Sequence, residues 1–189
     1  MTATATIRTD RLTLRPLALT DLPLFIEMDT DPDVMRYIRD VMTKEQVTER
    51  FDDILSNVDD LFIGFWVIQP QASDTPDGWV MLKHLPTDAP NGTKVQQVNG
   101  GDIEVGYRLR QMSWGNGYAT EAGKAALHEA FETLGLEKVI AVTDFDNMRS
   151  RNVLAKLGLN NTGPRKAYGQ EVLGYEIVKS DWDTRRSKP

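Results

Sequence analysis

Asp102-Ile103-Glu104-Val105-Gly106-Tyr107-Arg108-Leu109-Arg110 runs through Gln111-Met112-Ser113 into Trp114-Gly115-Asn116-Gly117-Tyr118-Ala119-Thr120. The first nine residues alternate Ile103, Val105, Tyr107 and Leu109 with other positions, the period-two pattern of a strand. The period then changes. Ala119, Ala122, Ala126, Ala130 and Phe131 form a small apolar stripe that predicts a long helix over 116–134. Between strand and helix stand two glycines one residue apart. A turn of this kind leaves backbone N–H groups unpaired at a helix start, and the missing Cβ lets a ligand approach them. Phosphate or pyrophosphate is the usual occupant. A helix terminus alone contributes about 0.3–1 kcal/mol per favourable charge at an exposed site, so several N–H bonds must supply most of the grip. Arg108 and Arg110 are expected to add positive charge beside the turn. The competing readings are solvated strand-edge charges and a glycine-rich helix start with no ligand.

The turn belongs to neither of the two commonest nucleotide loops. A dinucleotide fold asks for a third glycine where Thr120 stands, and for a position directly after the first strand of the unit. A nucleoside-triphosphate loop asks for Gly-Lys-Ser/Thr, which is absent.

Outward from this segment, residues 11–16 alternate and end at Pro16, a short strand. Thr20-Asp21 starts a helix, Asp31-Pro32-Asp33 a second short one through Ile38, and Thr43 a third over 44–57. Residues 62–69 and 78–85 read as strands joined by a turn over 70–77. Residues 86–101 form a long connection with a short strand near 94–98. After the central helix come a buried-type strand over 138–144 and a helix over 148–157, capped by Asn147 and ended by Gly158. Two further strands begin at Leu159 and Leu173. Only the middle of this order has the strand–helix–strand form of a parallel crossover. The expectation is an α/β, α+β-like domain with a mixed sheet, not a doubly wound parallel one.

The chain has 189 residues, 40% hydrophobic and 26% charged, which fits one domain over 1–189 with a real core. It has no cysteine and two histidines, His84 and His128. Disulfides, thiolate zinc sites and a cysteine nucleophile are excluded, and no metal is expected. The net charge of −6 argues against nonspecific nucleic-acid binding. No run of 18 apolar residues suits a membrane span. Residues 1–10 lack an apolar stretch of secretory length, so the expected location is the cytoplasm.

Several runs together resemble the GNAT N-acetyltransferases: Asp102-Ile103-Glu104-Val105-Gly106-Tyr107, Trp114-Gly115-Asn116-Gly117-Tyr118-Ala119-Thr120-Glu121-Ala122, Asn147-Met148-Arg149-Ser150 and Lys156-Leu157-Gly158-Leu159. Thr9-Asp10-Arg11-Leu12-Thr13-Leu14-Arg15-Pro16 and Asp31-Pro32-Asp33-Val34-Met35 are similar to the branch holding the ribosomal-protein-alanine N-terminal acetyltransferases. The resemblance implies a mostly antiparallel sheet of about six to seven strands flanked by helices. It also implies acetyl-CoA as cosubstrate, an amine acceptor and, at family level, a homodimer. Carried over, Leu109 contacts pantetheine, and Gly115, Asn116, Gly117, Tyr118 and Ala119 line the pyrophosphate. Asn147 and Ser150 lie near the pantetheine and the thiol. Two positions depart from the pattern. Met112 replaces a Gln or Arg, and Leu154 replaces the tyrosine that serves many relatives as general acid.

Acetyl transfer needs a neutral amine and a stabilised thiolate. With no cysteine, direct attack in a ternary complex is favoured over an acetyl-cysteine. Neutralising an α-amine of pKa about 8 at pH 7 costs roughly 1.4 kcal/mol, against roughly 4.6 kcal/mol for a lysine amine. A carboxylate acting through water suffices for the former. Glu104, on the strand entering the loop, is the first candidate base, weighed against a surface carboxylate. His84 is weighed against a structural histidine, and Glu121 against a helix-start role. Ser150 and Tyr107 are candidate donors to the thiolate, weighed against capping and packing. Tyr37, Met35, Arg165, Lys166 and Tyr168 are candidates for the acceptor site, weighed against ordinary packing or loop solvation. The alternative function is a noncatalytic acyl-CoA-binding module, suggested by Leu154.

Overall fold

The computed structural model describes residues 5–85, 87–88, 94–95 and 101–186. The chain opens with strands β1 (Ile7–Arg8) and β2 (Leu12–Pro16), then a 3-10 turn (Leu19–Asp21) and helices α1 (Leu22–Thr30), α2 (Pro32–Met35), α3 (Lys44–Ser56) and α4 (Val58–Leu61). Strands β3 (Gly64–Pro70) and β4 (Gly78–His84) follow, with a small ribbon of β5 (Thr87–Asp88) and β6 (Lys94–Val95). Strand β7 (Ile103–Leu109) leads through a 3-10 turn (Gln111–Ser113) into α5 (Tyr118–His128). Then come β8 (Lys138–Thr143), α6 (Met148–Leu157), β9 (Asn160–Ala167), β10 (Gln170–Val178) and α7 (Lys179–Arg186).

One sheet carries eight strands in the order β1-β2-β3-β4-β7-β8-β10-β9. Every neighbouring pair is antiparallel except β7 and β8, which the α5 crossover makes parallel. The expected mixed, mostly antiparallel sheet is present, with eight strands rather than six to seven. Two-residue β1 pairs with β2 at Ile7↔Leu14 and Arg8↔Thr13, too short a run to show as periodicity. The long β9–β10 hairpin begins three residues earlier on β10 than apolarity indicates, because Gln170 and Glu171 pair with Ala167 and Lys166 while exposed. Of the short strand expected near 94–98, residues 96–98 lie outside the described residues.

Both faces of the sheet are covered. On one face Trp66, Val80, Leu82, Val105 and Leu109 pack with Ala122, Ala126 and Phe131 of the α5 region and with Leu154 and Leu157 of α6. On the other, Phe65, Val67, Trp79 and Met81 pack with Phe25 and Met28 of α1 and with Val47 and Phe51 of α3. A fully buried side chain of this size contributes about 1.5–3 kcal/mol. Helix α3 begins at a capping box, with Thr43 and Gln46 bonding each other's backbone N–H. The long central helix differs from the expected 116–134. It starts at Tyr118, since Gly117 is left-handed, and its last turn, Glu129–Thr133, widens to π geometry. The apolar stripe continues through Ala130 and Phe131, so periodicity alone does not reveal the change of hydrogen bonding. Among the described residues no helix is long and apolar enough to cross a membrane.

Candidate active site

The site follows from how two parallel strands part company. Strands β7 and β8 share one bridge, Glu104↔Ile140, and beyond it they diverge into a wedge that opens toward their carboxyl ends. Ligands in open α/β sheets enter at such a point. Backbone direction alternates along β7. The N–H of Arg110 donates to Asp77, and the C=O of Asp102 accepts from Leu85, so even-numbered residues face this antiparallel side. The odd-numbered ones face β8. The N–H and C=O of Tyr107 and the N–H of Leu109 therefore line the wedge, past the reach of the single bridge. The C=O of Leu109 accepts from the indole of Trp114 at 3.0 Å, which folds the following turn back onto the strand end.

At the mouth of the wedge stands the glycine turn. Gly115 has φ +82° and Gly117 has φ +80°, left-handed values that disfavour side chains. A Cβ on Gly115 would meet nothing within 4 Å, so its removal keeps open the space that a diphosphate would fill. Tyr118 and Ala119 open α5, with N–H groups free of intrahelical partners. Asn116 is held in the turn by its side chain and its backbone carbonyl. Its amide donates to the Ser113 carbonyl at 3.2 Å, and its own carbonyl accepts from Arg11 at 2.9 Å. These residues and geometry suit a coenzyme A diphosphate and pantetheine arm.

The positive charges near the turn are not those expected. Arg108 lies buried on the opposite face, paired with the Asp29 carboxylate of α1 and stacked 5.0 Å over Trp79. Burial lowers its guanidinium to about 10, and it stays charged at neutral pH against Asp29. Arg110 pairs with Glu27 of the same helix. Strand parity is the reason: residues 108 and 110 point away from the face carrying α5. Arg11 and Arg149 take their place. Arg11 pairs with Glu121 at 2.7 Å and lies 5.1 Å over Tyr118. Arg149, in the first turn of α6, lies 4.5 Å over Trp114. Glu121 also accepts from the Thr9 hydroxyl at 2.6 Å, so the N-terminal segment is fastened to the helix start. The signal for Arg11 is its place in the Thr9–Pro16 run; nothing local to it points at the loop.

Across the wedge, Asn147 Oδ1 accepts from the Ser150 N–H at 3.1 Å and caps α6. The Ser150 hydroxyl lies 3.1 Å from the Tyr107 hydroxyl, which also donates to the Ser150 carbonyl at 3.2 Å. Burial pushes the Tyr107 phenol above its ordinary value, keeping it a proton donor. Leu154, one turn further along α6, is 1% exposed and belongs to the core. A phenol therefore reaches this helix from β7 instead of from position 154.

Glu104 sits at the apex of the wedge, 5% exposed. It shares the α1–α3 side of the sheet with Lys83, its cross-strand partner. The Tyr168 hydroxyl donates to Glu104 Oε2. Burial raises the Glu104 carboxyl, opposed by Lys83, by the Tyr168 hydrogen bond and by Arg165. Two candidates separated by 64 residues thus meet. Tyr37 does not join them: it lies 5.4 Å under Arg36, half-buried, with no hydrogen bond to the site among the described residues. Arg165 is held by Asp102 at 3.0 Å. His84 ends β4 with Nδ1 buried and without a hydrogen-bond partner among the described residues, and Met35 is buried in the core.

Comparison with known proteins identifies the family. The acetyltransferase (GNAT) domain family matches residues 11–160. The FsC-acetyl coenzyme A-N(2)-transacetylase of Aspergillus fumigatus is 29% identical over 99% of this chain and 81% of its own length. A crystal structure of an acetyltransferase from Agrobacterium tumefaciens superposes with a TM-score of 0.75 at 25% identity, covering 94% of this chain and 96% of that one. The aminoglycoside acetyltransferase AAC(6')-Ib, solved in complex with coenzyme A, shares the fold at a TM-score of 0.73 and 15% identity, over 93% and 99% of the two chains. A wedge between parallel strands and a left-handed glycine turn at its mouth thus occur in a chain that belongs to the GNAT acetyltransferase family, and the protein is an acetyl-CoA-dependent acetyltransferase.

Proposed function

We propose that the acceptor is a primary amine, an α-amine of a peptide N-terminus or of a small molecule, acetylated directly in a ternary complex with Glu104 as general base. The observation that carries this reading is the buried Glu104 carboxylate at the residue where β7 leaves β8. A carboxyl raised by burial is a better proton acceptor near neutrality than an ordinary one. Acetyl-CoA supplies an activated acyl group and a sulfur leaving group. The wedge backbone of Tyr107 and Leu109 orients the pantetheine arm. Gly115, Asn116, Gly117, Tyr118 and Ala119 hold the diphosphate, and Asn147 fixes the start of α6. Glu104 takes the amine proton, directly or through one water, as the N–C bond forms. The Ser150 hydroxyl, held beside the Tyr107 hydroxyl, would give the departing sulfur a hydrogen bond as the C–S bond breaks. Tyr168, beside Glu104, belongs to the acceptor side.

The choice of an α-amine rests on the small deprotonation cost such an amine presents. The resemblance of residues 9–16 and 31–35 to the ribosomal-protein branch supports it, as does the N(2) transfer named for the Aspergillus relative. One domain over 1–189, a cytoplasmic location and a homodimer complete the reading. Thiol release from acetyl-CoA, followed across peptide N-termini, small α-amines, polyamines and aminoglycosides, tests it. Turnover confined to amines of pKa near 10, or none across the panel, rejects the α-amine.

A further inference from the structure

Tyr168 occupies a backbone conformation that tyrosine rarely adopts. Ala167 and Gln170 pair across the β9–β10 hairpin, leaving Tyr168 and Gly169 as a two-residue turn with φ +56° and +77°. This is the type I′ geometry, whose first position is normally Asn, Asp or Gly. Among the described residues Tyr168 is the one non-glycine residue with positive φ. Such an outlier persists only where its surroundings hold it, and it clusters with function. Here the surroundings are specific: the hydroxyl donates to Glu104 Oε2, and the Lys83 ammonium lies 4.8 Å over the ring. Lys83 stands directly opposite Glu104 in the β4–β7 ladder. The groups facing the carboxylate are therefore Lys83 from β4, Tyr168 from the hairpin turn and Arg165 from β9, the last held by Asp102.

We propose that Tyr168 is a positioning residue for Glu104: the left-handed turn exists to deliver a hydroxyl that grips one carboxylate oxygen and leaves the other to receive the amine proton. This rests on the reading of Glu104 as base. A donor to the charged carboxylate counters its burial and fixes its rotamer, the two things a buried base needs. Asparagine would fit this turn position with less strain but is too short to reach the β7 strand.

Two variants of the full chain separate this role from turn structure. Tyr168→Phe keeps ring, turn and the contact with Lys83 but loses the donor. Turnover at neutral pH should fall by roughly ten-fold or more, the scale of a hydrogen bond to a charged group. The acidic limb of the kcat profile should move up by about one pH unit. Part of the lost rate should return at alkaline pH, with KM for acetyl-CoA unchanged. Tyr168→Asn suits the turn but cannot reach Glu104, and it should lose turnover as Tyr168→Phe does. If both variants keep the parental pH profile and turnover while Glu104→Gln is inactive, the positioning role is overturned and the base survives. If Glu104→Gln keeps full turnover, the base and the positioning role both fall.

Discussion

As the proposed base, Glu104 would serve chemistry at the expense of stability. Its carboxyl is raised by burial, so between its ordinary value and its folded value the native state binds more protons than the unfolded chain. Stability conferred by the group is therefore present at low pH and lost as pH rises through that window. Glu104→Gln removes the charge and keeps an oxygen for the Tyr168 hydroxyl. Its Tm should exceed the parent's at neutral pH, the gap closing as pH falls to the ordinary carboxylate range. Its turnover should drop about 10²–10⁴-fold, the usual contribution of a general base. Thermal unfolding and thiol release over the same pH series check both, and a variant less stable than the parent at neutral pH contradicts the burial argument. Gly115 is the complementary case. Its φ of +82° makes Gly115→Ala cost about 1–2 kcal/mol in backbone strain, although its Cβ meets nothing in the free protein. Coenzyme A binding should weaken by more than that, because the methyl enters the space proposed for the diphosphate. Calorimetry beside denaturant unfolding separates the two losses, and unchanged affinity in the folded variant would remove the diphosphate from that space.

At the scale of elements, buried charge joins apolar packing in fixing how α1 meets the sheet. Asp29 is fully buried and receives both Arg108 of β7 and Arg50 of α3, the latter at 2.6 Å. Arg110 reaches Glu27, and Gln111 donates to Asp33 at 3.0 Å. The end of β7 is thereby fastened to the helices beside it. Removing one partner of a buried pair leaves an uncompensated charge, so Asp29→Ala should destabilise by about 3–5 kcal/mol, measured by denaturant unfolding. A loss under 1 kcal/mol would show that water reaches Arg108 freely. This network marks the limit of what the sequence makes legible. The strand, the glycine turn and the α6 cap are local, and period, glycine spacing and capping residues declare them. Which face Arg108 takes depends on strand parity against β4, and its partner lies 79 residues away. The Tyr107–Ser150 and Tyr168–Glu104 contacts escape for the same reason, since each joins elements that only the folded sheet brings together.

For the whole molecule, the decisive fact is that a mostly antiparallel sheet contains one parallel pair, and that this pair is nearly unzipped. The strand–helix–strand order in mid-chain announces the parallel pair. The shortness of its ladder is not announced: β8 pairs with β10 over six residues but with β7 at one bridge. The sheet thus carries a built-in gap whose backbone groups alternate between satisfied and waiting. Amides of Gly106 and Arg108 face β4 and are already bonded, while those of Tyr107 and Leu109 face the gap. A bound pantetheine arm should therefore protect alternate residues of one strand. Hydrogen exchange with saturating coenzyme A should slow Tyr107 and Leu109 and the turn amides of residues 115–119, beyond the general stabilisation of about 2.7 kcal/mol expected at 100-fold excess over Kd. Gly106, Arg108 and the β2–β3 pair should show only that general gain. Uniform slowing along β7, or protection confined to its even-numbered residues, would mean that the arm lies elsewhere, because alternation is what the strand geometry requires of any ligand that completes this edge.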